Sequence, residues 1–265
     1  MKVICVINLK GGVAKTISAI NIAHTLAETH KKRVLLIDGD KQGNTSKFFG
    51  MHSYDAYSLS DVLTVKGFDI RAAINKTQYE RLDVLPANMT LLRADKEILL
   101  DVARPQQTRL TKALRGTTDP GFWASYDFAV IDCAPDLNMT VINALVAADD
   151  VIIPIKIDKF AFDGLDQLLE QIEETREFNP NIRIAGGLIT MYSRNNVNLQ
   201  GEQHLAESAG LPMFKTVIRK TVKVDETTFA GVPLAEYAPN STATRDYDAL
   251  VAEYLQKGGG LDDKS

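Results

Sequence analysis

The reading of this chain turns on Lys10-Gly11-Gly12-Val13-Ala14-Lys15-Thr16, which follows an apolar run, Val3-Ile4-Cys5-Val6-Ile7, and precedes a helix-patterned segment from Ile17 to Leu26. A strand, a glycine loop and a helix start in that order make a cradle for nucleotide phosphate. The glycines free backbone N–H groups, and the new helix adds its own unpaired N–H groups and the positive end of its dipole. In such a cradle Lys15 reaches the β and γ phosphates and the Thr16 hydroxyl holds Mg²⁺. The general pattern G-x-x-x-x-G-K-[ST] is not met, because Leu9 and Ala14 occupy its two glycine positions. If the position before Lys15 requires a left-handed backbone, Ala14 costs on the order of 1 kcal/mol relative to glycine.

At 265 residues, 45% hydrophobic and 24% charged, the chain has the composition of a globular protein long enough for one large α/β domain. Apolar strand-like runs alternate with helix-period segments: Val3 to Asn8, Val34 to Asp38, Leu82 to Pro86, Phe128 to Asp132, Val151 to Ile155, Ile184 to Thr190 and Met213 to Ile218. That alternation predicts parallel strands joined by helical crossovers. Because the runs are continuously aliphatic, they are expected to be buried on both faces of a doubly wound, mostly parallel sheet with helices on either side. The stretch from Gly43 to about Ala124 is less regular and reads as an elaboration within the same domain. Residues 1–257 are expected to form a single P-loop domain whose last helix runs from about Thr244 to Lys257. Gly258-Gly259-Gly260 ends that helix, leaving residues 258–265 as a flexible tail.

No apolar run approaches the roughly 18 to 20 residues that cross a bilayer, and the N-terminus lacks a secretory signal, so a cytoplasmic location is expected. A net charge of −4 argues against a globally basic nucleic-acid binder and leaves room for a local basic patch. Cys5 and Cys133 fall in strand-like runs with no C-x-x-C pair and read as structural thiols. His24, His30, His52 and His204 show no metal-ligand spacing, and Trp123 with the phenylalanines and tyrosines reads as core.

Ligands of doubly wound sheets bind at the carboxyl ends of the strands. Three pieces of chemistry fall there: the glycine loop, the pair Asp38 and Asp40, and Asp132. Phe128-Ala129-Val130-Ile131-Asp132 is a Walker B arrangement, a buried strand delivering a carboxylate that binds Mg²⁺ through water or orients Thr16. A turn of the chain at Gly39 is expected to let both Asp38 and Asp40 serve one site.

The loop resembles the deviant Walker A motif, K-G-G-x-[GA]-K-[ST], of the ParA/MinD family of dimeric ATPases. Asp38-Gly39-Asp40-Lys41-Gln42-Gly43-Asn44 is similar to that family's D-x-D-P-Q-G-N, with Lys41 in place of proline. The run Asn143-Ala144-Leu145-Val146-Ala147-Ala148-Asp149-Asp150-Val151-Ile152-Ile153-Pro154 resembles N-A-L-x-A-A-D-x-V followed by two apolar residues and proline in partition ATPases. Phe160-Ala161-Phe162-Asp163-Gly164-Leu165 resembles their F-A-L-E-G-L. With Thr190-Met191-Tyr192 and Thr216-Val217-Ile218, the likeness extends from Met1 to about Gln256, is weakest between Met51 and Ala124, and favours the ParA (Soj-like) branch.

The resemblance implies ATP and Mg²⁺ as ligands. Lys10, Gly11, Gly12, Val13, Ala14, Lys15, Thr16 and Ile17 would bind nucleotide, and the base-contacting position of relatives falls at Lys220. Thr16, Asp38 and Asp132 would serve the metal. Lys10, Lys15 and Asp40 would act in hydrolysis: Lys10 crosses to the partner subunit's ATP in a homodimer, and Asp40 positions the attacking water. Cys133-Ala134-Pro135-Asp136-Leu137-Asn138 matches the switch that senses the γ phosphate. The family also implies ATP-dependent, non-specific DNA binding, for which Lys215, Arg219, Lys223 and Arg245 are the candidates, association with the nucleoid, and a ParB-like adaptor that stimulates turnover. The chain begins almost at its first strand, so no N-terminal helix-turn-helix domain is expected. A membrane-cycling, MinD-like role would require a C-terminal amphipathic helix; the tail Gly-Gly-Gly-Leu-Asp-Asp-Lys-Ser is acidic and glycine-rich, and no membrane partner is expected. Lys10 and the run around Asn143 count against a metabolic synthase, and a positioning ATPase for a non-DNA cargo would share the same cycle.

Overall fold

A computed structural model describes residues 1–116, 120–158, 164–208 and 210–259. The aliphatic runs become strands of one seven-stranded sheet: β1 (Lys2–Val6), β2 (Val34–Gly39), β3 (Asn75–Lys76), β4 (Leu82–Leu85), β5 (Phe128–Cys133), β6 (Asp150–Lys156) and β7 (Arg183–Thr190). The strand order is β3-β4-β2-β5-β1-β6-β7, parallel throughout except where β3 meets β4. The helices are α1 (Lys15–Glu28), α2 (Asn44–Phe48), α3 (Leu59–Thr64), α4 (Leu91–Leu100), α5 (Arg109–Arg115), α6 (Pro120–Ala124), α7 (Met139–Ala147), α8 (Leu165–Thr175), α9 (Asn196–Ser208), α10 (Val222–Ala230), α11 (Leu234–Tyr237) and α12 (Thr242–Tyr254).

Side chains at successive strand positions go to opposite faces, and both faces are covered. Val3, Cys5, Leu35, Ile37, Ala129 and Ile131 share one core with Leu59, Leu91, Leu110, Leu145 and Leu168, contributed by α3, α4, α5, α7 and α8. Ile4, Val6, Val34, Leu36, Phe128 and Val130 share the other with Ile20 and Leu26 of α1, Leu234 of α11 and Leu250 of α12. Two-sided burial is why the strands read as unbroken aliphatic runs. The irregular stretch after Gly43 contributes α3, α4 and α5 to the first core. Register then aligns the chemistry: Asp132 on β5 lies opposite Val6 of β1 and Asp38 of β2.

Four expectations need correction. Met213 to Ile218 is not a continuous strand; it meets β7 at a bridge between Met213 and Gly187 and through the Ile218 N–H, which donates to the Ile189 carbonyl at 2.8 Å, while between them the Lys215 and Thr216 N–H groups donate to the Glu253 carboxylate of α12 at 2.8 and 2.9 Å. The last helix starts earlier, capped by the Ser241 hydroxyl, and passes at Leu255 into a wide turn that closes with Gly258 at φ +83°. Between Asp38 and Asp40 there is no turn, since β2 runs through Gly39. Finally, the aromatic set is divided: Tyr126, Phe128 and Tyr247 are buried, Trp123 is partly buried beside Phe122 and Tyr126, and Phe229, Tyr54 and Tyr57 are exposed. Cys5 and Cys133 are buried free thiols with Sγ atoms 3.1 Å apart. Residues 160–163 of the expected partition signature and 260–265 of the expected tail lie outside the described residues.

Candidate active site

The loop after β1 is held open by its own backbone. Asn8 donates from Nδ2 to the Pro154 carbonyl and accepts the Lys10 N–H on Oδ1, each at 2.8 Å, which staples the loop entrance to β6. Gly12 and Ala14 both lie in the left-handed region, at φ +71° and +63°. A Cβ on Gly11 or Gly12 would meet no atom within 4 Å, so the glycines face open space, as a cradle requires. Ala14 therefore carries the strain, of order 1 kcal/mol, that glycine would avoid. It also sits at the N-cap of α1 without a side-chain cap, and the first turn holds no acidic residue. The helix thus presents unpaired N–H groups and a positive dipole end to the loop.

Lys15, the first residue of α1, is buried and donates from Nζ to the Lys10 carbonyl at 2.8 Å. Burial pulls its pKa down, and the nearby Asp132 and Asp40 carboxylates oppose that shift. Asp132 is fully buried and its pKa is raised, chiefly by desolvation. Thr45 donates to its Oδ2 at 2.8 Å, and the Thr16 hydroxyl also favours the ionised form. Oδ1 is buried without a hydrogen-bond partner among the described residues. An orphaned carboxylate oxygen beside the Thr16 hydroxyl is a hard-oxygen donor set suited to Mg²⁺, which takes one or two protein ligands and keeps the rest for phosphate and water. Among the described residues no larger cluster of His, Cys, Asp and Glu forms a metal site.

Asp38 is engaged at both carboxylate oxygens by its own chain. Its Oδ2 accepts from the Ser46 N–H and hydroxyl at 2.8 and 2.6 Å, and its Oδ1 accepts from the Asp40 N–H at 3.2 Å. It fastens the end of β2 to the start of α2. Burial and the adjacent Asp132 charge push its pKa up. Asp40 Oδ1 accepts the Gln42 N–H at 2.9 Å. Residues two apart on a strand share a face, so Asp38 and Asp40 need no turn to reach one site. Gly39 serves instead as a point of close approach, since a Cβ there would stand 2.9 Å from the Asp132 carbonyl.

Lys10 pairs with Asp158 of its own chain. Lys41 reaches Asp136 at 2.7 Å. Asp136 also accepts from Asn138 Nδ2 at 2.7 Å, and Asn138 caps α7 through the Val141 N–H. A cavity of about 480 Å³ opens here between Lys10, Asp136, Leu137 and Gln167. On the other side of the loop a cleft of about 60 Å³ is lined by Ala14, Thr190, Ile218, Lys220 and Tyr247, which places Lys220 beside the cradle. Thr190 donates to the Val13 carbonyl at 3.1 Å. Thr45 and Ser46 belong to no motif of the sequence; their only signal there is a hydroxyl pair where the chain re-enters a helix after Gly43.

The expected DNA-binding set is divided. Arg219 is held by the buried Asp246 through Nε and Nη2, and Lys223 pairs with Glu226 at 2.8 Å. Lys215 and Arg245 are exposed and have no ion-pair partner among the described residues. Arg194 is likewise exposed and unpaired there, on the turn that Tyr192 ties to Lys220 through a 2.9 Å backbone bond.

Residues 1–184 match the AAA_31 family, an AAA domain. The chain is 34% identical over 259 residues to the sporulation initiation inhibitor protein Soj of Bacillus subtilis, covering 97% of this chain and 99% of Soj. It is 35% identical over 260 residues to the chromosome partitioning protein ParA of Caulobacter vibrioides, covering 97% and 95%. Among solved structures, cobyrinic acid a,c-diamide synthase of Mycobacterium smegmatis, with a bound ATP analogue and magnesium, superposes with a TM-score of 0.82 at 30% identity, covering 98% of this chain and 96% of that one. The glycine loop with its two lysines, the aligned Asp38 and Asp132, and full-length similarity to Soj and ParA lead to one conclusion: the chain belongs to the ParA/MinD family of deviant Walker A ATPases.

Proposed function

We propose that this chain is a DNA-partition ATPase: ATP binding drives sandwich dimerisation and non-specific DNA binding, and Mg²⁺-dependent hydrolysis to ADP and phosphate resets the cycle. The observation that carries the reading is the convergence of a buried Lys15, Thr16, Asp40 and an orphaned Asp132 oxygen on one end of the sheet, against the uncapped start of α1. The loop N–H groups and Lys15 would hold the phosphates, and Lys220 would lie at the base. Thr16 and Asp132 would hold Mg²⁺, which when bound neutralises charge on the β and γ oxygens. Asp40 would orient the attacking water in line with the bond to the β phosphate. Lys15, with Lys10 contributed by a second copy, would offset the charge that develops on the transferred group. Asp38 would support the metal site indirectly, by fixing Asp40 and α2. Lys215, Arg219, Lys223 and Arg245 remain the candidates for phosphate contacts on DNA, and a ParB-like adaptor would stimulate turnover.

A second reading, an ATP-dependent metabolic synthase, is favoured by the superposition on the M. smegmatis enzyme. Fluorescence anisotropy on a random-sequence duplex, with ATP, ADP or no nucleotide at two salt concentrations, separates the two. The partition reading expects binding with ATP alone, weakening with salt by a slope of about −0.9 per neutralised phosphate. A sample that dimerises with ATP and ignores DNA would sink it. Lys10→Ala is expected to retain ATP binding while losing dimerisation and turnover; a variant still dimeric and active would remove Lys10 from its role.

A further inference from the structure

Lys41 stands where the family segment D-x-D-P-Q-G-N carries proline, and its ammonium crosses to Asp136 on the segment that follows Asp132, at 2.7 Å. We propose that Lys41 is a positioning residue for hydrolysis: with Asp136 it forms a strut that holds the Asp40 loop against the switch segment. The inference rests on the hydrolytic reading above.

A proline at this position would stiffen the loop locally, by fixing its own φ near −65° and confining the residue before it, Asp40, to extended backbone. Lysine does neither. The remaining bonds of the loop are short-range: Asp40 N–H to Asp38, Gln42 N–H to Asp40 Oδ1, Gly43 N–H to the Asp40 carbonyl at 2.9 Å, and the Lys47 ammonium of α2 to the Gln42 carbonyl at 2.7 Å. These set the loop's shape but not where it sits relative to the residues beyond β5. The Lys41 ammonium supplies that link. Its acceptor is oriented in advance, because Asn138 holds the other oxygen of Asp136 while capping α7. The strut therefore runs from the residue next to Asp40 into the start of a core helix.

The pair lies at the rim, its side chains 28% and 40% exposed. Such a pair adds little to stability and is screened by salt. A small displacement of a water-orienting carboxylate, by contrast, is felt directly in rate. The consequence of losing Lys41 should thus be found in kcat and its salt dependence, with the melting temperature unmoved.

The experiment is steady-state ATP hydrolysis with Mg²⁺ at two salt concentrations, together with thermal melts, for the wild type, K41A, D136N, K41P and the reversed pair K41D/D136K. K41A and D136N are expected to lower kcat about fivefold at low salt, with KM for ATP and the melting temperature unchanged. K41P and the reversed pair are expected to recover most of the loss. Raising salt should slow the wild type toward the K41A rate while leaving K41P unaffected. Wild-type kcat in K41A, a loss that neither K41P nor the reversed pair recovers, or a melting temperature that falls with kcat would each overturn the strut. A wild type without turnover would instead overturn the hydrolytic reading and this role with it.

Discussion

The phosphate end of the sheet and the basic face around α10 use the same residue types, lysines and carboxylates, and differ in what fixes them. At the phosphate end, Lys15, Asp38 and Asp132 are placed by a helix start and by strand register, and all three are buried. Around α10, Arg219 and Lys223 are long side chains that meet Asp246 and Glu226 of their own chain. Charge fixed by backbone keeps its meaning from sequence to structure. Charge carried on exposed, flexible stems takes its meaning from whichever partner the fold brings near. Variants of the two regions should therefore fail in different ways.

The largest effect is expected at Lys15. Its ammonium is anchored to the Lys10 carbonyl and faces Asp132 and Asp40. Lys15→Ala should lower ATP turnover by at least about 100-fold, the size of loss seen when one preorganised stabiliser of developing charge is removed. Turnover by Lys15→Ala within a few-fold of wild type would break the comparison at its stronger side.

Asp132→Asn is expected to divide function from stability. The raised pKa values of Asp38 and Asp132 mean that the folded chain retains protons which the unfolded chain releases. Stability contributed by these groups is therefore present at low pH and lost as pH rises from the ordinary aspartate value of 3.8 toward neutrality. Asp132→Asn removes one of the two charges. Without Mg²⁺ it should melt higher than wild type at pH 8, by an amount of order 1 kcal/mol, and no higher at pH 4, while Mg²⁺-dependent turnover is lost. Equal melting of the two proteins at pH 8 would show that the carboxylates do not strain the site.

Legibility in the sequence follows the same division. β1, β2, β4, β5, β6 and β7 were visible because two-sided burial demands continuous aliphatic residues. The two-residue β3, Asn75 and Lys76, offered no such signal. Met213 to Ile218 offered a false one, since Glu253, distant in sequence, captures the N–H groups a strand would have used. The glycine loop and the carboxylates Asp38, Asp40 and Asp132 could be placed at strand ends from the pattern, whereas Lys10 and the task of Asp40 were legible only through the family resemblance. The hydroxyl partners of Asp38 and Asp132 were not legible, because Ser46 and Thr45 reach them only by folding back over the strand ends. Pairings across the fold, such as Lys10 with Asp158 and Arg219 with Asp246, were likewise beyond any local pattern.

The smallest expected effect tests the weaker side of the comparison. Arg219 is clasped through two nitrogens by Asp246, which is 8% exposed, so of the four candidates it is expected to contribute least to DNA contact. The exposed Lys223 and Glu226 form an i, i+3 pair that costs little to separate. Glu226 therefore both competes for Lys223 and repels phosphate. Lys223→Gln should change ATP-dependent DNA binding only slightly, whereas Glu226→Gln should tighten it and steepen the salt slope by up to about 0.9. Lys215→Gln and Arg245→Gln, whose side-chain charges form no ion pair among the described residues, should each flatten the slope by a similar amount. Anisotropy titrations of the four variants order them. If Glu226→Gln leaves the slope unchanged while Lys215→Gln flattens it, the DNA-facing surface ends before α10; if neither moves it, the basic face is not where DNA binds.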